Sequence, residues 1–161
     1  MDFTKQNIKD NEMYFIFQYD YVNLEYLDLK KKNLTNKGLK ALQNKSLKNV
    51  KYLDISNNNI TDEGLKYLNE LNGLNELILL NMNKLSDDYF LSLQSNDFNY
   101  SISHISCDKT KLTLKRVSMS FNYFHLPNLT TLKIFDDSWI NHGASVETHL
   151  ILKKLFPSFT K

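Results

Sequence analysis

Leucine and isoleucine recur along this chain at a regular spacing, with polar residues between them. Residues 24–29 carry the pattern Leu-x-x-Leu-x-Leu, and residues 50–55 repeat it as Val-x-x-Leu-x-Ile, 26 positions later. Apolar and polar residues alternate at the end of each copy, which predicts a half-buried β-strand. A period of roughly 20–50 residues is typical of proteins built from stacked repeats. The pattern therefore predicts an array of similar units that share one continuous core.

A helix is predicted after each strand, because parallel strands need a crossover connection. Thr61 and Ser86 are suited to cap such helices, since each is followed by two acidic residues that favour the first turn. Every third residue over 65–71 is a leucine, and these leucines are predicted to face the strands. Gly38 and Gly64 fall at helix starts, where we expect the helix to approach the strand closely.

Weaker copies of the strand pattern cover most of the remaining chain. They occupy residues 74–79, 102–107 and 129–134, and residues 3–8 are a partial copy of the segment 29–34, which lies 26 positions later. At least three repeats are needed to bury a continuous core. We therefore predict a single repeat domain over residues 1–161, with about five repeats and partial copies at both ends.

Two interpretations of the chain ends stay open. Residues 157–161 echo residues 127–131, so another copy of the pattern begins where the chain stops. Terminal repeats normally carry polar caps. Either the degenerate end copies serve as caps, or the chain is a fragment of a longer array.

The register of the third strand is open as well. Residues 77–80 are four consecutive aliphatic residues, so either Leu77 and Leu79 or Ile78 and Leu80 can face the core. In both registers, two aliphatic side chains are left on the opposite face of the sheet.

The residues that follow the second strand carry a resemblance to a known family. Over residues 57–68 the chain reads Asn-Asn-Asn-Ile-Thr-Asp-Glu-Gly-Leu-Lys-Tyr-Leu, directly after the strand that contains Leu53 and Ile55. This segment resembles the leucine-rich repeat family, in particular its ribonuclease-inhibitor-like and cysteine-containing subclasses. The resemblance implies an α/β fold: a right-handed leucine-rich repeat solenoid, or horseshoe, with a parallel sheet on the concave face and helices on the convex face.

This resemblance makes the concave face of the sheet the candidate partner-binding surface. Residues that flank each core-facing pair point there, because successive strand side chains alternate. Tyrosine is frequent in interfaces, where it adds contact area and a hydroxyl group. Asp28 and Asp54 are predicted to be like-charged neighbours, which either a cationic partner or solvent would relieve. The candidate partner-binding residues are Tyr26, Asp28, Tyr52, Asp54, Ile78, Leu80, His104 and Phe135.

Composition narrows the classes of partner and the compartment. A formal net charge of +2 predicts no nucleic-acid partner. No apolar stretch reaches the length of about 18 residues that spans a membrane, and the first residues do not resemble a signal peptide. The single cysteine excludes an internal disulfide and favours a reducing compartment, so we expect a cytoplasmic protein without a membrane partner. The lysine run over residues 30–32 is predicted to be a solvated turn.

No arrangement of residues in the sequence predicts catalysis. His104 lies three positions before Cys107, but the strand pattern places Cys107 in the core and His104 on the opposite face. The other histidines lack the spacing of metal ligands, and the four glycines form no phosphate-binding loop. We therefore predict no enzymatic activity, no metal and no cofactor.

The sequence predicts a protein–protein interaction module, or scaffold, that binds a protein partner on its concave surface. One alternative is the substrate-recognition part of an F-box-type ubiquitin ligase adaptor, because repeats of the Ile-Thr-Asp-x-Gly-Leu type accompany F-box segments in related families. The other alternative is an enzyme regulator that resembles ribonuclease inhibitor, although this chain is neither strongly acidic nor rich in cysteine.

Overall fold

Five parallel strands form one sheet in the computed structural model, which describes residues 3, 6–86, 101–108 and 131–135. The strands follow chain order, so each lies beside its neighbour in sequence. The repeated strand pattern is confirmed, because each of its five full copies contributes one strand. The strands are β1 (Tyr26–Asp28), β2 (Tyr52–Asp54), β3 (Glu76–Leu79), β4 (His104–Asp108) and β5 (Thr131–Phe135).

Alternate strand positions supply the core, as the pattern predicts. Leu27, Leu53 and Leu77 pair across β1, β2 and β3, and all three are fully buried. In the next row Leu79 pairs with Cys107, and both are also fully buried. The register of the third strand is therefore decided: Leu77 and Leu79 face the core.

Short helices connect the first three strands and close the core. Leu65, Leu68 and Leu71 are fully buried in the same cluster as the strand leucines, which confirms their predicted orientation. The α-helices are shorter than the leucine spacing predicts, and the turn after the third one is a 3-10 helix over Lys66–Leu68. The α-helices are α1 (Asp10–Ile16), α2 (Asn36–Lys40) and α3 (Asp62–Leu65), and a further 3-10 helix spans Lys45–Asn49.

The start of each helical segment is tied to the preceding unit by a polar side chain. Thr61 is the N-cap of α3, as predicted, but its own hydroxyl makes no cap bond. Instead the Thr61 N–H donates to Asn36 Oδ1 at 2.9 Å, and Asn36 Nδ2 donates to the Thr61 hydroxyl at 2.8 Å. Orphan N–H groups at a helix start are thereby satisfied from outside the helix. The same contact links Asp10 to Thr35 and Asp62 to Ser86.

The periodic glycines make room for this contact. A Cβ atom on Gly38 would lie 2.4 Å from Asp10 Oδ1, and a Cβ atom on Gly64 would lie 2.4 Å from Asn36 Oδ1. The predicted close approach is present, but the expected neighbour is wrong: the glycine meets a side chain of the preceding unit and not the strand. In α1 the equivalent position holds Glu12, whose carboxylate accepts the Lys9 N–H within the same helix at 3.0 Å.

Asn58 joins two successive turns through its buried side-chain amide. Its Oδ1 accepts the backbone N–H groups of Lys32 and Leu34, at 3.1 and 2.9 Å. Its Nδ2 donates to the carbonyls of Leu29 and Ile55, at 2.9 and 2.8 Å. One side chain therefore satisfies four backbone groups that belong to two units, where the turns would otherwise bury them unpaired.

Lys32 and Met82 occupy the corresponding place in the neighbouring turns. Lys32 is 7% exposed, and its Nζ donates to the Gln6 carbonyl at 2.7 Å. The expectation that the whole lysine run is solvated is therefore wrong for Lys32. Met82 is fully buried and fills the site with apolar volume.

Candidate functional site

The strand register brings six of the predicted partner-binding residues onto one surface. We define the outer sheet face as the side chains that alternate with the buried core positions in β1–β4 and in the residues that directly follow these strands. Its first row pairs Tyr26, Tyr52, Glu76 and His104, and its second row pairs Asp28, Asp54, Ile78 and Ser106. Phe135 pairs with Asp108 through the backbone of β5 and β4, and its side chain lies outside the described residues.

Two tyrosines stack at one end of the first row. The rings of Tyr26 and Tyr52 have centroids 4.2 Å apart and are inclined by 7°. Tyr26 lies on the first strand of the sheet and is 46% exposed, whereas Tyr52 lies between two strands and is half-buried. Neighbouring strands lie about 4.8 Å apart, so identical residues in register stack without any distortion of the backbone. The pair presents a fixed aromatic surface beside the second row.

Asp28 carries its own countercharge. Its Oδ1 accepts the Lys30 backbone N–H at 3.0 Å, and its Oδ2 pairs with Lys30 Nζ at 2.9 Å. The hydrogen bond and the charge of Asp28 raise the pKa of the Lys30 ammonium. The like-charge contact that the sequence predicts between Asp28 and Asp54 is therefore relieved on the Asp28 side.

Asp54 is buried beside Asp28 without an equivalent lysine. It is 6% exposed, and its Oδ1 accepts the Ser56 N–H at 2.9 Å. Position 56 corresponds to position 30 of the preceding unit, so serine stands where Lys30 serves Asp28. The Ser56 hydroxyl accepts the Leu80 N–H at 3.0 Å.

The two aliphatic residues of the outer sheet face differ in exposure. Ile78 is 8% exposed, because it lies in mid-sheet between Asp54 on β2 and Ser106 on β4. Leu80 follows the end of β3 and is half-buried. Both aliphatic residues therefore lie on this face, but Ile78 is buried there, while Leu80 remains partly accessible.

Cys107 and His104 lie on opposite faces of β4 and do not form a pair. Cys107 is buried in the core, as predicted, and His104 is exposed on the opposite face of β4. His104 Nδ1 contacts the adjacent Ser103 hydroxyl at 2.6 Å. No group of three or more His, Cys, Asp or Glu side chains is placed to hold a metal ion in the part of the chain that the structure describes.

Two members of the site are absent from the sequence-based set of partner-binding residues. Lys30 neutralises Asp28, and Glu76 continues the tyrosine row on β3. The alternation of side chains along a strand places both residues on the outer sheet face, so their position could be predicted from the sequence. Their importance depends on the charges of neighbouring side chains, and alternation alone does not show which residues have charged neighbours.

We expect Tyr52 to keep its proton at a pH where an ordinary tyrosine loses it. Burial raises the pKa of the Tyr52 hydroxyl above the usual value of about 10, and Tyr26, Asp54 and Glu76 raise it further. The folded protein then holds a proton that the unfolded chain has lost. The stability contributed by Tyr52 is therefore present below about pH 10 and is lost as the pH rises through the folded pKa.

A pH titration of ¹³Cζ-labelled tyrosine, followed by NMR, measures this pKa directly. Tyr52→Phe should remove a resonance that titrates above about pH 10, and Tyr19→Phe, at an exposed position, should leave that resonance in place. A Tyr52 resonance that titrates near about pH 10 would contradict the burial of this hydroxyl.

A family model for the leucine rich repeat matches residues 46–68. The matched segment contains β2, Asn58, α3 and the 3-10 helix that follows α3. A comparison with curated protein sequences gives no match. The family match, the parallel sheet and the connecting helices support a leucine-rich repeat family with an α/β fold.

Two solved structures share this fold over most of their length. The tropomodulin C-terminal domain of Caenorhabditis elegans is 15% identical, with a TM-score of 0.62 and 92% of each chain covered. Leiomodin-1 Actin-Binding Site 2 is 10% identical, with a TM-score of 0.63, and the match covers 92% of this chain and 87% of that chain. At these identities the likeness shows the fold.

None of the helices in the described residues is both long enough and apolar enough to span a membrane.

Proposed function

We propose that this chain is a protein-interaction module that binds a protein partner on the outer sheet face, without catalysis. We also infer that the units form a right-handed horseshoe whose concave side is this face. The observation that carries the proposal is the stacked pair Tyr26 and Tyr52, which presents ordered aromatic surface beside charged side chains. Aromatic residues dominate binding energy at interfaces, and a pre-stacked pair loses little side-chain entropy on binding.

The remaining sequence predictions complete the proposal. The binding surface comprises Tyr26, Asp28, Tyr52, Asp54 and Leu80, together with His104 and the Phe135 position; Ile78 supports it from mid-sheet. We place the protein in the cytoplasm and propose that it forms one repeat domain. Its repeat pattern resembles the ribonuclease-inhibitor-like subclass. The fold shared with leiomodin-1 Actin-Binding Site 2 makes actin a defined candidate for the same assay.

Site-specific photo-crosslinking tests where a partner binds. Benzoylphenylalanine placed at Tyr52 should yield a crosslinked adduct in lysate of the source cell and with any purified candidate. The same reagent at Lys66, which is exposed after α3, should not yield that adduct. Adducts that form equally at both positions, or at Lys66 alone, would place the interface elsewhere.

A double substitution then tests whether this face supplies the affinity. Tyr52→Ala together with Leu80→Asp should abolish capture of the crosslinked partner, because it removes an aromatic anchor and adds a charge beside it. Neither residue belongs to the core cluster, so thermal unfolding should remain cooperative. Lys66→Ala is the matched surface control and should leave capture unchanged. Undiminished capture by the double variant would refute binding at the outer sheet face.

A further inference from the structure

The outer sheet face carries a surplus of negative charge around the tyrosine pair. Asp28, Asp54 and Glu76 contribute three carboxylates on adjacent strands, and Lys30 contributes one ammonium group. The chain as a whole has a formal net charge of +2, so this surface differs in sign from the overall balance. Charge of one sign on a partner-binding surface selects partners of the opposite sign.

One of these negative charges, that of Asp54, lies in a buried position. Ion pairs within 4.0 Å join Lys30 to Asp28 and Lys51 to Glu25. Within the described residues, Asp54 accepts one backbone N–H and forms no ion pair of its own, although it is 6% exposed and lies beside a second carboxylate. The ammonium of Lys30, which pairs with Asp28, is the positive charge that Asp54 shares. Two neighbouring carboxylates that share one ammonium group keep an excess of negative charge, and burial of one of them makes a further cation favourable there.

Glu76 and Tyr52 complete the surroundings of this carboxylate. Glu76 lies on β3 directly beside Tyr52 on β2, and Asp54 follows Tyr52 by two residues on the same face. Burial, the hydrogen bond with Tyr26 and these two carboxylates raise the pKa of the Tyr52 hydroxyl, which stays a neutral hydrogen-bonding group. The Tyr52 ring thus lies beside two carboxylates, neither of which forms an ion pair of its own among the residues that the structure describes.

This combination favours guanidinium over ammonium. A guanidinium group is planar, is weakly hydrated, stacks on tyrosine rings and donates N–H groups in a fork that fits carboxylates. An ammonium group is strongly hydrated and supplies a point charge without a stacking face. The site therefore fits the end of an arginine side chain better than that of a lysine.

We propose that the outer sheet face binds an arginine side chain of its protein partner, with the guanidinium against Tyr52 and its N–H groups on Asp54 and Glu76. The half-buried Leu80 follows the end of β3, two residues beyond Ile78, and receives an apolar residue beside that arginine. This inference rests on the proposed function, since it names the chemistry of the partner at the same surface.

A defined peptide tests the inference without knowledge of the partner. The blocked tripeptide acetyl-Leu-Arg-Leu-amide is titrated into the protein, and the ring resonances of Tyr26 and Tyr52 are followed by NMR. These resonances should shift in a saturable way. In the second peptide citrulline replaces arginine, which keeps the shape of the side chain and removes its charge. This peptide should bind at least about tenfold more weakly, since hydrogen bonds to charged groups contribute about 1.5–3 kcal/mol. Equal shifts with both peptides, or no shift with either, would overturn the inference.

Variants assign the charge to Asp54. In Asp54→Asn the amide oxygen can still accept the Ser56 N–H, so the variant should lose most of the preference for arginine over citrulline without a loss of thermal stability. Glu63→Gln, an exposed acid at the helix start, is the control and should retain the preference. A preference retained in Asp54→Asn, or a stability loss that accompanies its disappearance, would show that Asp54 is structural.

Capture of the crosslinked partner separates this inference from the proposed function. If Asp54→Asn combined with Glu76→Gln lowers capture as strongly as Tyr52→Ala with Leu80→Asp does, both statements hold. If only the tyrosine–leucine double variant lowers capture, the outer sheet face binds a partner but does not recognise an arginine side chain of that partner. If neither double variant lowers capture, both statements fail.

Discussion

Leu53→Ala is expected to lower the free energy of unfolding by about 2–5 kcal/mol, which is the usual range for a fully buried leucine. Leu53 is fully buried on β2, between Leu27 on β1 and Leu77 on β3. Removing its side chain leaves a cavity bounded by both neighbouring strands, which hydrogen bonding holds at a fixed spacing, so the site collapses poorly. Urea unfolding followed by circular dichroism measures the change.

A neighbouring surface substitution provides the control for Leu53. Lys51→Ala removes the exposed ion pair with Glu25, and such pairs contribute about 0–1 kcal/mol. A loss below about 0.5 kcal/mol in Leu53→Ala would contradict the strand parity on which the outer sheet face also depends.

Asn58→Ala is expected to lower the free energy of unfolding by about 3 kcal/mol or more, because each buried polar group left unpaired costs about 1–3 kcal/mol. The substitution orphans the N–H groups of Lys32 and Leu34 and removes a donor from the carbonyls of Leu29 and Ile55. Since these groups belong to two units, the substitution should destabilise the whole cooperative unfolding transition and not one turn alone.

Asn59→Ala is the matched control for Asn58. The Asn59 side chain reaches Asn33 at an exposed site, and its backbone N–H bond to the Leu34 carbonyl survives the substitution. A change within about 0.5 kcal/mol is expected for such a surface position. Equal losses at positions 58 and 59 would show that turn conformation, and not the buried amide, holds the two units together.

Strand parity could be predicted from the sequence wherever apolar and polar residues alternate. Leu53 and Ile55 alternate with Tyr52 and Asp54, so burial of one set determines the face of the other. For this reason the placement of Tyr26 and Tyr52 on one surface followed from the pattern alone. In the third strand the four aliphatic residues 77–80 satisfy both parities, and the hydrogen-bonded register with β2 and β4 made the choice.

Contacts between units required the tertiary structure. From the sequence alone, a glycine at position 64 is expected to lower the stability of the helix. The structure shows that its lack of a side chain leaves space for the Asn36 side chain of the preceding unit. Lys32 belongs to a basic run that looks solvated, yet it takes the buried turn position because its ammonium reaches the Gln6 carbonyl. Both cases depend on atoms about one repeat away, beyond the reach of local patterns.

The sequence by itself determined the repeated strand, the core leucines and the set of side chains on the outer sheet face, because one-sided burial imposes a period of two on a strand. The tertiary structure decided how those side chains differ. Asp28 pairs with Lys30, Asp54 is buried without an ion pair of its own in the described part of the chain, and Ile78 is buried in mid-sheet. These properties arise from lateral neighbours on adjacent strands, whose spacing and register exist only once the units have stacked.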